Sequence, residues 1–266
     1  MRIIFFILLG IHGIIHGFGF LKAFKLFELS AIAQPIARTA GIFWLLTTIL
    51  MIAALILNIA GNKYWWVLGF IAAAISQTLI ITVWQDAKFG TIINIIILIA
   101  CLLAYSHQHF AKLVSSERVA MLMGSNEGQN TRSIADMPAP VQKWLTNSGV
   151  SDSTTIKTVY LKQKAQMKMK PDQKNWYSAQ ADQYFITNPP SFNWSVQLKM
   201  NPFLPVRGRD KFVDGKGEMQ IKLFSALPVV NARDNTKIDK ATMQRFLAEI
   251  VWFPSAAVNE YIHWEE

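Results

Sequence analysis

Four long apolar runs near the start of this chain constrain its fold more than any other feature of the sequence. They lie at 3–21, 39–60, 64–84 and 89–105 and contain almost no charged side chains. An α-helix rises about 1.5 Å per residue and the hydrocarbon core of a bilayer is about 30 Å thick. Runs of this length therefore predict membrane-crossing helices, although the fourth is slightly short. We expect a four-helix transmembrane domain over residues 1–106, in a multi-pass protein of the cell membrane.

An even number of spans places both ends of the chain on the same side of the membrane. Lys and Arg residues near the ends of the spans indicate which side is cytoplasmic. Four such residues lie on each predicted side: Arg2, Lys63, Lys112 and Arg118 on one, and Lys22, Lys25, Arg38 and Lys88 on the other. The count is balanced, so the sequence leaves both orientations open.

Most of the charge lies after residue 106. The first 106 residues carry six Lys and Arg against two acidic residues, whereas the remainder carries twenty against fifteen. Residues 107–135 are polar and have a Gly-Ser-Asn-Glu-Gly centre at 124–128, which predicts a linker. Residues 136–266 then form a water-facing domain. Its modest positive excess fits plain solubility or membrane lipids as partners, and it argues against a nucleic-acid partner.

The water-facing domain shows the two-residue period of amphipathic β-strands. Apolar and polar side chains alternate over 159–169 and most regularly over 192–200, and Asp214 and Gly215 begin a hairpin signal. Four or five sequential strands predict an antiparallel sheet with one apolar face. A helical pattern at 239–251, with Asp239 as its candidate N-cap, predicts the helix that covers this face. The expected fold is therefore a four-span helical bundle followed by an α+β domain.

Four residues on the apolar strand faces are candidates for contact with an apolar ligand. They are Met167, Met169, Trp194 and Met200. Because thioether side chains adapt to irregular partners, the methionines suit an acyl chain or another apolar ligand. The alternative interpretation is an ordinary hydrophobic core.

Arg207, Arg209 and Lys211 share one face of a predicted strand. A guanidinium group can bind a phosphate or carboxylate through two hydrogen bonds, so this triplet is a candidate site for a lipid headgroup. Pairing with Asp214 and Glu218 across the hairpin is the alternative.

Three polar residues in the predicted spans are candidates for a site within the membrane. His12 and His16 lie on one helical face beside small glycine residues, and Gln77 lies in the third span. Ionisable groups at this depth are costly, so the two histidines suit a haem, metal or quinone contact or a proton relay, and Gln77 is a candidate for contact with a ligand. The alternative is hydrogen bonding between closely packed helices. No second histidine is expected at the depth of His12, which argues against a bis-histidine haem within one chain.

Several motifs lie in the second half: Leu-Pro-Val-Arg at 204–207, Arg-Asp at 209–210, Val-Asp-Gly at 213–215, Gln-Arg-Phe-Leu-Ala-Glu at 244–249 and Trp-Phe-Pro at 252–254. Together they resemble an uncharacterised bacterial membrane-protein family that carries a domain of unknown function. Residues 84–90 also resemble the membrane part of some members. The resemblance implies no reaction and no catalytic residue. Members continue with more strands, so it also raises a truncated C-terminus as an alternative. By fold analogy alone, the sheet is similar to the open half-barrel of lipoprotein carriers.

The sequence contains no nucleotide-binding loop, zinc-protease helix or nucleophile elbow, and Cys101 is its only cysteine. We therefore predict no cofactor, no metal and no catalytic residue, and we favour a protein that is not an enzyme. The main hypothesis is a membrane-tethered domain that binds a lipid or another apolar ligand. One alternative is a membrane redox or proton-handling protein that uses His12 and His16. Another is a structural subunit that binds a second membrane protein.

Overall fold

The structure is a computed structural model that describes residues 2–27, 33–125, 131–154, 156–201 and 204–265. It divides into two compact units, Met1–Gln108 and His109–Glu266. The first unit is helical, and the second combines a sheet with helices.

The first unit consists of helices that follow the apolar runs: α1 (Arg2–Ala23), α2 (Arg38–Ile59), α3 (Trp65–Thr82), the single turn α4 (Trp84–Ala87) and α5 (Gly90–Met123). α1, α2, α3 and α5 are each long and apolar enough to cross a membrane, as predicted. α5 extends beyond the predicted fourth span, because residues 107–123 of the expected linker are helical. Its residues from His109 onward belong to the second unit. Of the expected linker centre, residues 126–128 lie outside the described residues.

Small side chains allow close packing within the first unit. Ala54, Ala72 and Ala73 are fully buried in its core. A Cβ atom on Gly13 would lie 3.0 Å from the Cβ atom of Met51, so this glycine allows α1 and α2 to approach each other. The opposite face of α1 exposes large apolar side chains at helical spacing, as expected of residues that face lipid: Ile3, Ile7, Ile11 and Ile14.

The second unit contains a six-stranded antiparallel sheet in which each strand pairs with the next: β1 (Thr158–Met167), β2 (Tyr177–Ile186), β3 (Ser191–Asn201), β4 (Leu204–Val213), β5 (Lys216–Leu223) and β6 (Leu227–Ala232). This arrangement confirms the predicted fold class and adds β6, which the sequence pattern does not predict. Asp214 and Gly215 form the β4–β5 turn with φ values of 52° and 73°. Positive φ is what such tight hairpin turns require. β1 and β6 are the edges, so the described sheet is open.

Helices cover one end of the apolar sheet face. α7 (Thr236–Glu249) packs on β4 and β5. α6 (Ala139–Asn147) and the short 3-10 helices Ile250–Trp252 and Pro254–Val258 contribute to the same core. Five buried phenylalanines form its centre: Phe185, Phe192, Phe212, Phe246 and Phe253.

α7 begins one turn earlier than predicted. Its N-cap is Asn235, whose side chain accepts a hydrogen bond from the backbone N–H of Lys237. The predicted cap, Asp239, instead accepts hydrogen bonds from the backbone N–H of Gly217 at 2.8 Å and from Nζ of Lys216 at 3.1 Å. Asp239 therefore fastens α7 to the β4–β5 hairpin.

Candidate functional site

α7 leaves part of the apolar sheet face uncovered, and a groove of about 350 Å³ remains there. Strands β1, β3, β4 and β5 supply most of its walls, and polar side chains from β4 and α7 form one end. The apolar lining includes Met167, Met169, Trp194, Val206, Met219 and Ile221. This groove is the candidate functional site of the second unit.

The strand register explains why these apolar side chains meet. Leu198 pairs with Val206 in one row across the sheet, and Val196, Gly208 and Ile221 form the next row. Side chains two residues apart on a strand point to the same face, so the rows stack into one apolar surface. Gly208 allows the neighbouring side chain to cross its backbone, because a Cβ atom there would lie 3.0 Å from Cγ1 of Val196.

A polar row separates the groove from the phenylalanine core. Gln183, Trp194 and Asp210 are cross-strand partners in this row. Nε1 of Trp194 donates to Oε1 of Gln163 at 2.9 Å, and Nε2 of Gln163 donates to Oε1 of Gln183 at 3.2 Å. Nε2 of Gln183 then donates to Oε2 of Glu249 on α7 at 2.6 Å. The fully buried amide of Gln183 thus has both a donor and an acceptor, as buried polar groups generally do.

At the charged end of the groove, Arg245 of α7 binds two carboxylates. Its Nη1 donates to Oδ2 of Asp210 at 2.7 Å, and its Nε donates to Oε1 of Glu249 at 3.1 Å. Its guanidinium carbon lies 4.7 Å from the ring centroid of Trp194 and 5.1 Å from that of Phe192, which adds cation–π attraction. Burial raises the pKa of the Asp210 carboxyl, although Arg245 acts in the opposite direction.

The basic triplet of the sequence lies on the other face of the sheet. Arg209 and Lys211 pair there with Glu117 of α5 and Glu218 of β5, at N–O distances of 2.9 to 3.5 Å. Burial acts to raise the pKa of Glu218, but hydrogen bonds from Lys211 and Arg209 lower it overall. Pairing with Glu218 is one of the two interpretations that the sequence offers for these residues.

Arg207 lines a cavity of about 400 Å³ on the same face, whose lining mixes polar and apolar side chains. Its Nη2 donates to Oε1 of Gln197 at 3.2 Å. Arg118 of α5 lies in the cavity wall and donates to Oγ of Ser195 at 2.7 Å and to the carbonyl oxygen of Asp182 at 2.9 Å. Arg207 and Arg118, like Arg209 and Lys211, thus bind groups of the second unit itself.

The structure brings together only some of the predicted ligand residues. Met167, Met169 and Trp194 line the groove. Met200 lies outside its lining and packs, partly buried, against the adjoining apolar cluster. The basic triplet and the methionines lie on opposite faces and do not form one site.

The polar residues of the predicted spans form a network inside the first unit. Nε2 of His12 lies 3.0 Å from Oδ1 of Asn94, Nδ2 of Asn94 donates to Oε1 of Gln77 at 3.1 Å, and Nε2 of Gln77 donates to Oγ1 of Thr91 at 3.1 Å. This chain joins α1, α3 and α5, so interhelical hydrogen bonding is present. His16 is 1% exposed and contacts the His12 backbone. No three His, Cys, Asp or Glu side chains among the described residues are grouped to hold a metal ion.

Comparison with known proteins concerns the second unit alone. Residues 135–266 match the model of a family of unknown function (DUF6920). The match includes α6, the whole sheet and α7, which supports the expectation of an uncharacterised domain. No curated protein and no solved structure matches the chain.

Proposed function

We propose that the second unit binds the apolar chain of a lipid in the groove beside α7, while the apolar helices anchor the protein in the cell membrane. The observation that carries the proposal is the uncovered apolar part of the sheet face. Apolar surface in water costs about 25 cal/mol per Å² relative to its burial, so such a surface favours an apolar partner. The groove volume of about 350 Å³ falls within the range of roughly 300–1,000 Å³ of small-molecule sites.

The lining residues suit a flexible chain rather than a rigid ligand. Met167, Met169 and Met219 supply thioether side chains that adjust to the shape of a partner. Met169 is 41% exposed, so part of the lining is accessible from solvent. The protein also has four helices that can cross a membrane, which makes lipid the most abundant apolar molecule near it.

The charges at one end of the groove favour binding of a lipid's hydrocarbon chain over binding of its anionic headgroup. Arg245 is the one cation among the described lining residues, and it already binds Asp210 and Glu249. The three groups together carry a net negative charge. We therefore expect affinity to depend on the length of the hydrocarbon chain.

Filling the groove tests the proposal. The full-length protein, purified in an amphipathic polymer, is titrated with a fluorescently labelled fatty acid, and native mass spectrometry detects copurified lipid. Met219→Trp places a bulky ring in the groove, and we expect it to weaken binding at least tenfold. Met243→Trp is the matched control, because Met243 is 44% exposed on α7 and does not line the groove.

Two outcomes would overturn the proposal. One is a wild-type protein that carries no lipid and does not bind the labelled fatty acid. The other is equal affinity in Met219→Trp and wild type, which would place any bound lipid elsewhere in the chain.

A further inference from the structure

A cavity of about 420 Å³ lies among the helices of the first unit. Its walls come from α1, α2, α3 and the start of α5, together with Asp86 and Ala87 of α4. Ile15, Phe18 and Phe89 in its lining are 49%, 39% and 73% exposed. Exposed apolar side chains of a membrane helix face lipid, so we expect the cavity to be accessible from the bilayer.

Two buried polar atoms in the lining have no hydrogen-bond partner among the described residues. They are Nε2 of His16 and Nε1 of Trp44. The two side chains are 1% and 2% exposed, and their ring centroids are 4.9 Å apart. Unsatisfied polar groups are especially costly in a membrane interior, where no water compensates them. The pair therefore indicates a missing polar partner at one place in the cavity.

The hydrogen bonding of His16 determines which kind of partner fits. Its Nδ1 lies 2.9 Å from the backbone carbonyl oxygen of His12, an atom that can only accept. Nδ1 therefore carries the proton, and Nε2 of the neutral ring can only accept. Nε1 of Trp44 can only donate. A hydroxyl group meets both requirements, because it donates one hydrogen bond and accepts others.

Glycines allow the helices to pack closely around these rings. A Cβ atom on Gly19 would overlap the indole of Trp44, so only glycine allows this ring to lie against α1. A Cβ atom on Gly90 would lie 2.8 Å from Cδ1 of Ile80 and 3.4 Å from Cε1 of His12, so α5 also approaches closely. The indole of Trp44 is thus held by close packing against α1, and the ring of His16 is held by its hydrogen bond to the His12 backbone.

We propose that this cavity binds a lipid-soluble molecule through a hydroxyl group, which donates to Nε2 of His16 and accepts from Nε1 of Trp44. The apolar walls hold the hydrocarbon part of the molecule. A quinol and an isoprenoid alcohol both have this chemistry. The site lies in the first unit and is independent of the groove beside α7.

Paired probes that differ in the hydroxyl group test the proposal on the full-length protein in an amphipathic polymer. Decylubiquinol is compared with decylubiquinone, and farnesol with its methyl ether, by isothermal titration calorimetry. The quinone and the ether accept hydrogen bonds but cannot donate to His16. One hydrogen bond corresponds to about a three- to tenfold difference in affinity. We expect at least one hydroxyl compound to bind more tightly than its counterpart by about this factor.

Two variants assign the two hydrogen bonds separately. His16→Phe removes the acceptor, so it should abolish the preference for the hydroxyl compound. Trp44→Phe removes the donor but keeps an aromatic ring, so it should weaken both members of a pair about three- to tenfold and retain the preference. Trp66→Phe is the control, because Nε1 of Trp66 binds Gln108 and lies outside the cavity lining.

The pattern of results identifies the source of the ligand or rejects the site. Preference in the quinol pair alone indicates a quinol, and preference in the farnesol pair alone indicates an isoprenoid alcohol. No preference in either pair would overturn the proposal, as would a preference that survives His16→Phe. Circular dichroism checks the helical content of each variant. If His16→Phe fails to fold, unchanged binding by Trp44→Phe would still overturn the proposal.

Discussion

Arg245 is the residue on which the charged end of the groove depends most. Asp210 has a side chain only 11% exposed, and Arg245, 26% exposed, is its closest cation. Arg245→Met keeps an apolar stem but leaves this buried carboxylate without its partner. Breaking a buried pair costs about 3–5 kcal/mol, and partial exposure of Arg245 reduces our expectation to roughly 2–3 kcal/mol. Thermal unfolding of the full-length protein in detergent measures the loss as a drop of several degrees.

The same variant should show a characteristic dependence on pH. Burial raises the pKa of the Asp210 carboxyl, so its stabilising contribution is present below the unfolded pKa of about 3.9 and is lost as pH rises through the folded pKa. Removing Arg245 should raise this pKa further. The stability deficit of Arg245→Met should therefore shrink on acidification from pH 7 towards pH 4.

Asp210→Asn in the Arg245→Met background is the control, because it removes the unpaired charge. We expect the double variant to recover much of the lost stability at pH 7 and to lose the added pH dependence. A deficit in Arg245→Met that does not change with pH would contradict this account.

At the scale of elements, the contact between α7 and the β4–β5 hairpin holds the groove in shape. Gly217 lies beneath α7, and a Cβ atom there would overlap Oγ1 of Thr242 and lie 2.6 Å from the carbonyl oxygen of Ile238. Gly217→Ala should therefore displace α7 and cost about 1–3 kcal/mol, as overpacking usually does. It should also weaken fatty-acid binding, because α7 supplies Arg245 and Glu249 to the groove lining and their displacement changes the shape of the groove.

Gly124→Ala is the matched control for this prediction. A Cβ atom at Gly124 would lie no closer than 3.5 Å to its nearest neighbour, the carbonyl oxygen of Met121. Thermal unfolding and fatty-acid titration of both variants test the contact. Equal stability of Gly217→Ala and Gly124→Ala would show that α7 does not rest on Gly217 as described.

Most helices and strands could be predicted because their sequence patterns extend over many residues. The four apolar runs correspond to α1, α2, α3 and α5. Apolar–polar alternation indicates β1 and β3, and the hairpin signal at Asp214 and Gly215 lies between β4 and β5. β6 is not predicted, because Pro228 interrupts its short apolar run and prolines disfavour strand assignments. The helical part of the expected linker is not predicted either, since its polar composition is equally typical of a solvated loop. Within this helical part, Glu117 pairs with the buried Arg209, which is distant in the sequence, so no local pattern indicates the contact.

The candidate site was predictable only in its apolar part. Alternation placed Met167 and Trp194 on the face that lines the groove. Arg245 and Glu249 are one helical turn apart. In the sequence, this spacing is equally typical of a solvent-exposed ion pair on a helix, so it does not indicate that the pair lines a groove. Their contacts with Asp210 and Gln183 depend on how α7 lies on the sheet, and no local pattern encodes that.

At the scale of the whole molecule, we propose a ligand site in each unit, and the two proposed sites suit ligands that share one property. The groove of the second unit has an apolar wall with internally paired charges, whereas the cavity of the first unit has an apolar wall with two unsatisfied groups. Both favour molecules that partition into membranes. We propose that the groove selects by hydrocarbon chain and the cavity of the first unit by hydroxyl group, so Met219→Trp and His16→Phe should affect different ligand preferences.

The order of the spans makes a prediction about membrane topology that holds for either orientation. If α1, α2, α3 and α5 all cross, the second unit lies on the same side as the turn after α2, and the turn after α3 lies on the other. Cysteines introduced at Ser151 and Asn62 should then react alike with a membrane-impermeant maleimide in intact cells. A cysteine at Gln85 should behave in the opposite way. If the first two react in intact cells, it should react only after permeabilisation, and if they require permeabilisation, it should react in intact cells. The native Cys101 is 1% exposed within the bundle and should contribute little background.

Labelling of Ser151→Cys together with Gln85→Cys would mean that α5, the candidate span between these two positions, does not cross. The side on which Ser151→Cys reacts identifies the leaflet that would supply the lipid we propose for the groove.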